Sequence, residues 1–81
     1  MDDKAIIAKL NEDRREPIFV SFSDFNGKKY LDIRKVYKDE KTGEMRPTKK
    51  GISLDAATYE LLMKVLEDKD VEIHKYLNGE L

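Results

Sequence analysis

Strict alternation of apolar and polar residues marks the middle of the chain. Leu31 and Ile33 alternate with Asp32 and Arg34, which is the period of a half-buried β-strand. The preceding stretch, 18–25, is rich in β-branched and aromatic residues and also predicts a strand. Between the two, Asn26-Gly27 tolerates the positive φ angles of a tight turn. The pattern therefore predicts a β-hairpin over residues 18–39.

Two further strands are predicted after this hairpin. A turn at EKTG leads into a third strand, EMRPTKKG over 44–51, and the short GISL segment over 51–54 predicts a fourth. Pro47 has no amide donor and marks an edge, bulge or bend in the third strand. The predicted sheet covers residues 18–54 and is antiparallel.

On either side of the predicted sheet, apolar residues are spaced as in an amphipathic helix. In the extension over 1–17, Ile6, Ile7 and Leu10 are compatible with a short amphipathic helix that ends before Pro17. After the sheet, Asp55 is a good N-cap. A stripe at spacings of three and four then predicts one long helix over 55–78 that can be kinked near 68–71, and the alternative is two unrelated helices. The stripe consists of Tyr59, Leu62, Leu66, Lys69, Ile73 and Tyr76.

The predicted sheet is too small to cover the far half of this helix. We expect Leu66, Ile73, Tyr76 and Leu77 to form a homodimer interface, because a domain of 81 residues without cysteine has few other sources of stability. The alternative is that the amino-terminal helix covers them. The predicted fold class is α+β: a curved four-stranded antiparallel sheet followed by a long helix, in a two-fold dimer.

The net charge of −1 conceals a basic centre. Residues 1–25 hold four Lys/Arg and six Asp/Glu, residues 26–54 hold nine and four, and residues 55–81 hold three and seven. The three segments therefore carry −2, +5 and −4. A basic segment between acidic ends suggests an anionic partner, although clustering by chance is common in a chain with 41% charged residues.

Catalysis has little support in the sequence. His74, the single histidine, lies beside the apolar stripe of the helix, where a surface or interface role is more common than catalysis. Without cysteine, no cysteine-based metal site is expected. No glycine-rich phosphate loop or metal-ligand spacing occurs. We expect a binding protein without cofactor or metal. No stretch has the length and apolar character of a membrane span, and we expect a soluble intracellular protein, cytoplasmic in bacteria (near the nucleoid) or nuclear in a eukaryote.

Cations and aromatic rings alternate over residues 25–50. Rings can stack on the exposed bases of single strands, and Lys or Arg can follow their phosphates. A duplex hides its base faces, so such a surface favours unpaired nucleic acid. For Phe25 and Tyr30, the competing interpretation is packing in the core, whereas Tyr37 follows a basic run at a strand end.

The segment DFNGKKYLDIRKVYKDEKTGEMRPTKKGISLD resembles the core of the transcriptional coactivator family called positive cofactor four. The resemblance covers about 24–55, with a weaker helical match to about 77. It implies a two-fold dimer that binds single-stranded DNA or melted duplex with little sequence preference, through two antiparallel channels. It further implies that Phe25 and Tyr37 stack on bases, and that phosphate or sugar is contacted by Lys28, Arg34, Arg46, Lys49 and Lys50.

Tyr37 stands where the family has tryptophan, and the hairpin at 39–43 is one residue longer than expected. The short acidic segment MDDKAIIAKLNEDRRE stands in place of the serine- and lysine-rich amino-terminal region of eukaryotic members. We therefore expect a compact member of bacterial or phage type, acting in transcription, replication or repair. RNA and the transcription machinery remain further candidate partners. The rival hypothesis is a dimer whose basic sheet docks an acidic protein, with no role in nucleic-acid binding.

Overall fold

A computed structural model describes residues 5–80. Four antiparallel strands lie side by side in chain order: β1 (Ile6–Leu10), β2 (Ile18–Phe25), β3 (Lys28–Lys38) and β4 (Met45–Leu54). Two helices follow, α1 (Ala56–Asp68) and α2 (Asp70–Leu77). The predicted four-stranded antiparallel sheet followed by helix is confirmed. None of the helices within 5–80 has the length and hydropathy to cross a bilayer.

The amino-terminal segment corrects the sequence prediction. Residues 6–10 form a strand paired with β2, not a helix, so the sheet starts at Ile6 rather than at residue 18. A register shift between Ile6 and Ala8 interrupts the pairing. Such a bulge disturbs the alternation by which a strand is recognised in a sequence.

The last strand also differs from the prediction. The segments 44–51 and 51–54 are not two strands but parts of one, β4, which runs through Pro47. Because β4 is at the edge of the sheet, it tolerates a residue without an amide donor. The prediction of the β2–β3 turn is confirmed, since Asn26 and Gly27 have φ of 53° and 78°.

The helical region has a break where a kink was predicted. Asp55 caps α1 as expected: its side chain accepts a hydrogen bond of 2.8 Å from the Thr58 amide. Lys69 separates α1 from α2, yet amide-to-carbonyl bonds of 2.9 Å from Lys69 to Val65 and from Ile73 to Lys69 keep the backbone path helical. Gly79, with φ of 74°, follows the end of α2.

The two faces of the sheet have different chemistry. Alternation and register place a largely apolar set on the face that α1 approaches: Val20, Phe22, Leu31, Ile33, Ile52 and Leu54. The opposite face carries Phe19, Ser21, Asp32, Arg34 and Ser53. Buried apolar side chains within the described residues include Phe19, Val36 and Leu54. The core that these residues form is therefore small.

Candidate nucleic-acid interface

Phe25 and Lys28 meet at one end of the β2–β3 hairpin. They are direct cross-strand partners that flank the turn at Asn26-Gly27. Phe25 is 66% exposed, which excludes the interpretation that its ring packs in the core of the subunit. Lys28 is exposed too. This end of the sheet therefore offers a flat apolar ring beside a cation.

Arg34 lies in the middle of β3 and is held by its own chain. Its Nε donates to both carboxylate oxygens of Asp32, at 3.3 and 3.1 Å, and its Nη2 donates to Asp32 Oδ1 at 3.0 Å. Its Nη1 donates to the Thr48 carbonyl at 2.9 Å. Ser53 Oγ adds a bond of 2.8 Å to Asp32. These contacts fix the guanidinium on the sheet and join β3 to β4.

Gly51 provides the space for this arrangement. It is the cross-strand partner of Arg34, and a Cβ atom at Gly51 would lie 2.8 Å from Arg34 Cβ and Cγ and from the Ile33 carbonyl oxygen. Real Cβ atoms do not approach that closely without displacing their neighbours. Glycine is therefore required here by the close approach of Arg34.

Tyr37 and Arg46 form a second ring–cation pair across β3 and β4. Tyr37 is 42% exposed. Arg46 Nε donates to Asp39 Oδ2 at 2.7 Å, and the hydrogen bond with this guanidinium is the main reason that the pKa of Asp39 is lowered. The same bond raises the pKa of Arg46. The cation is thus paired with a carboxylate of its own hairpin.

Lys49 and Lys50 lie in an irregular part of β4. Between Arg34 and Val36 the register moves from Gly51 to Pro47, so β4 has extra residues here. The Lys50 amide donates to Thr48 Oγ1 at 3.1 Å, and Thr48 Oγ1 donates to the Lys35 carbonyl at 2.8 Å. Lys49 is exposed, and Lys50 Nζ lies 3.4 Å from Glu16 Oε1. The bulge displays both lysines beside the Arg34 network.

The predicted site residues therefore form two ring–cation pairs with cations between them. Phe25 with Lys28 and Tyr37 with Arg46 mark opposite ends of β3, roughly 30 Å apart at ~3.3 Å per residue. Arg34, Lys49 and Lys50 lie along the intervening strands. The two rings are therefore not brought together within a single chain.

The predicted interface residues lie on the exposed helices. Leu66, Tyr76 and Leu77 are exposed and Ile73 is half-buried. Neither α1 nor α2 has a buried residue in this subunit.

Comparison with known proteins identifies the family. The family model for Transcriptional Coactivator p15 (PC4) matches residues 13–65, which is well over half of the chain. The chain belongs to the PC4 family. The match includes all seven residues of the predicted nucleic-acid surface, whereas all four predicted interface residues, Leu66, Ile73, Tyr76 and Leu77, lie beyond it.

Two named eukaryotic proteins are similar to part of this chain. The chain is 47% identical over 45 residues to the RNA polymerase II transcriptional coactivator SUB1 of Saccharomyces cerevisiae, which covers 56% of this chain and 15% of that protein. It is 36% identical over 66 residues to the coactivator KIWI of Arabidopsis thaliana, covering 82% of this chain and 56% of that protein. The chain thus spans about half or less of these relatives.

A solved structure has the same fold. The crystal structure of a PC4 homolog from Burkholderia pseudomallei is 29% identical to this chain, with a TM-score of 0.65, and the match covers 89% of this chain and 93% of that one. The PC4-like fold therefore extends over nearly the whole chain, including the helices.

Residues before β2 were missed by the sequence analysis. An open groove of about 1020 Å³ lies between the segment 12–17 and the β3–β4 hairpin, and Tyr37 lines it together with Arg14, Arg15 and Lys38. The signal in the sequence is the charged run EDRRE, in which three carboxylates outnumber two arginines, so the run does not stand out as a cationic site.

Proposed function

We propose that this PC4-family chain is a homodimer that binds single-stranded DNA without sequence preference and acts in transcription, replication or repair. One observation carries the proposal: each of the two exposed rings, Phe25 and Tyr37, has a cation as its cross-strand partner. A base can stack on the ring while the adjacent Lys28 or Arg46 meets its phosphate. The named coactivator relatives support the assignment to transcription.

The chemistry of the surface favours unpaired strands. Stacking of a base on an aromatic side chain contributes about 1–3 kcal/mol and requires a free base face, which a duplex does not offer. Phosphate contacts from Lys28, Lys49 and Lys50 carry no sequence information. Binding therefore depends on strand separation more than on base identity. It needs neither a cofactor nor a catalytic residue, and we propose a binding role only.

The proposed dimer accounts for the exposed apolar surface. In one subunit Phe22 on the sheet is 60% exposed, and Tyr76 and Leu77 on α2 are more exposed still. An apolar surface of this extent on a monomer typically marks an interaction site. A second copy supplies a matching apolar surface, and Leu66, Ile73, Tyr76 and Leu77 would lie in the contact.

The first experiment is fluorescence anisotropy with a labelled mixed-sequence strand of ~20 nucleotides, competed by unlabelled single-stranded DNA, duplex DNA and RNA at fixed salt. We expect single-stranded DNA to compete best. Phe25→Leu should weaken binding by about fivefold to a hundredfold, because it keeps apolar surface but loses the flat ring. Phe25→Trp is the matched control and should retain binding.

Several outcomes would contradict the proposal. Equal competition by duplex would exclude base stacking, and stronger competition by RNA would indicate an RNA-binding module. Absence of binding even at low salt would favour docking of an acidic protein partner. Circular dichroism of each variant checks that a loss of binding does not reflect a loss of fold.

A further inference from the structure

The groove beside Tyr37 has a second wall that is not part of the sheet surface. The segment 12–17 forms this wall, with Arg14 and Arg15 among its lining residues, and the β3–β4 hairpin forms the other wall. At about 1020 Å³ the groove is at the upper end of the range of small-molecule sites and has room for a nucleotide unit.

The second wall is anchored at both of its ends. Asn11 has a φ of 59°, and its carbonyl accepts a bond of 3.0 Å from the Arg14 amide, which closes a turn. At the other end the Pro17 carbonyl accepts a bond of 2.9 Å from the Val36 amide, next to Tyr37. The backbone that carries the two arginines is therefore held against the strand that carries the ring.

The lining of the groove has a positive net charge once the carboxylates that form ion pairs within the protein are set aside. This charge favours an anion. Of the four carboxylates in its lining, Glu16 pairs with Lys50 at 3.4 Å and Asp39 pairs with Arg46 at 2.7 Å, and neither of these cations lines the groove. The remaining charged lining residues are two acids and four cations, a balance of two positive charges: Glu12, Glu40, Arg14, Arg15, Lys38 and Lys41. The guanidinium groups of Arg14 and Arg15 extend from an exposed segment. Arginine has a planar fork of donors that matches the oxygens of a phosphate.

We propose that Arg14 and Arg15 bind the backbone phosphates of a nucleotide whose base stacks on Tyr37, so that the segment 12–17 extends the nucleic-acid surface beyond the sheet. The inference rests on the proposed function and adds a phosphate-binding wall to it. The ligand class is a single strand with at least two consecutive phosphates. The ring and the arginines then act on the same nucleotide unit.

Tryptophan fluorescence provides a direct test, because the chain contains no tryptophan. Tyr37→Trp places a single reporter in the groove, and a base stacked on it should quench its emission when oligo(dT) of ~20 nucleotides is added. In this background, Arg14→Ala with Arg15→Ala should lower the slope of log affinity against log salt by about 1.4, at ~0.7 per phosphate contact. That change corresponds to roughly 25-fold weaker binding at 0.1 M salt when both proteins bind equally at 1 M.

Two control variants separate a local contact from a general change in charge. Lys64→Ala with Lys75→Ala removes the same charge from the helices and should leave the slope near that of the parent. Arg14→Lys with Arg15→Lys keeps the charges and should restore most of the slope. A purely structural role of the arginines predicts no restoration and would overturn the inference.

Failure of this inference and failure of the proposed function give different results. If the parent binds and Phe25→Leu weakens it, but the double alanine variant keeps the parental slope, the phosphate-binding wall is wrong and the sheet surface stands. If the Tyr37→Trp emission does not change while anisotropy reports binding, the strand does not enter the groove. If the wild-type chain does not bind at low salt, the proposed function itself fails.

Discussion

The sheet and the helices of this chain differ in the contacts that stabilise them. On the sheet, Val36 is fully buried and the network of Asp32, Arg34 and Ser53 joins two strands through hydrogen bonds of 2.8–3.3 Å. The helices have no buried residue and their apolar side chains face outward. The sheet therefore makes its stabilising contacts within the chain itself, whereas the helices leave most of their apolar surface exposed.

The difference predicts that, in the proposed dimer, the stability of the fold and the strength of association can be changed separately. A change in the sheet network should lower the free energy of unfolding of the subunit. A change on the exposed helical stripe should act on association first. Three predictions follow this division from the largest effect to the smallest.

The largest effect is expected from Ile73→Glu on the helices. In the proposed dimer this substitution buries a charge without a partner, which should weaken association roughly hundredfold or more. Sedimentation equilibrium measures the change. Lys75→Glu adds an acidic side chain to the opposite side of α2 and should leave the dimer intact. A dimer of unchanged strength in Ile73→Glu would remove the helices from the interface.

A smaller but clear effect is expected from Asp32→Asn on the sheet. Asp32 is 8% exposed, and the substitution removes the charged acceptor of Arg34, which should cost about 1.5–3 kcal/mol of unfolding free energy. Denaturant titration at a fixed protein concentration measures this cost, because the proposed dimerisation would make stability depend on concentration.

Asp24→Asn is the matched control for the sheet. Asp24 pairs with Lys29 at 3.1 Å on the surface, and loss of an exposed pair should cost no more than about 1 kcal/mol. Equal losses in the two variants would show that the Asp32 network does not hold the sheet.

The smallest effect concerns pH. The pKa of Asp55 is lowered chiefly by hydrogen bonds from Thr58, and the pKa of Asp39 is lowered by Arg46. Both carboxylates therefore add stability that is present above their ordinary value of 3.8 and lost as pH falls through the lowered values.

Asp55→Asn tests how much the helix cap contributes to the stability that is lost at acid pH. Because asparagine caps a helix about as well as aspartate, the variant should differ little from wild type at pH 7. Its stability should then decline less between pH 4 and pH 2, as followed by denaturant titration. An identical decline in both proteins would show that the cap does not contribute to acid unfolding.

The fold could be predicted where local signals agree with the tertiary structure. The hairpin around Asn26-Gly27 and the cap at Asp55 each depend on a residue with a specific backbone or hydrogen-bonding property. β1 was predicted wrongly because the bulge between Ile6 and Ala8 leaves apolar residues at positions that also suit a helix. β4 was divided wrongly because tolerance of Pro47 depends on the edge position, which no local pattern reveals.

The candidate site shows the same limit. Cross-strand pairing of Phe25 with Lys28 follows from the turn and was within reach of the sequence. The hydrogen bonds from Arg34 to Asp32 and Thr48 depend on the register of β3 and β4. The proximity of Arg14 and Arg15 to Tyr37 depends on how the β1–β2 connection folds back, so sequence spacing could not show it.

The two ion pairs at the groove have a kinetic consequence. Glu16 holds Lys50 and Asp39 holds Arg46, so a phosphate that binds either cation replaces a carboxylate that remains attached nearby. A tethered group competes at an effective concentration in the millimolar range. In the proposed complex, each carboxylate would therefore compete with the phosphate and bind its cation again whenever the phosphate moves away. A bound strand would then be released one phosphate at a time, which favours rapid exchange and movement along the strand over a long-lived static complex.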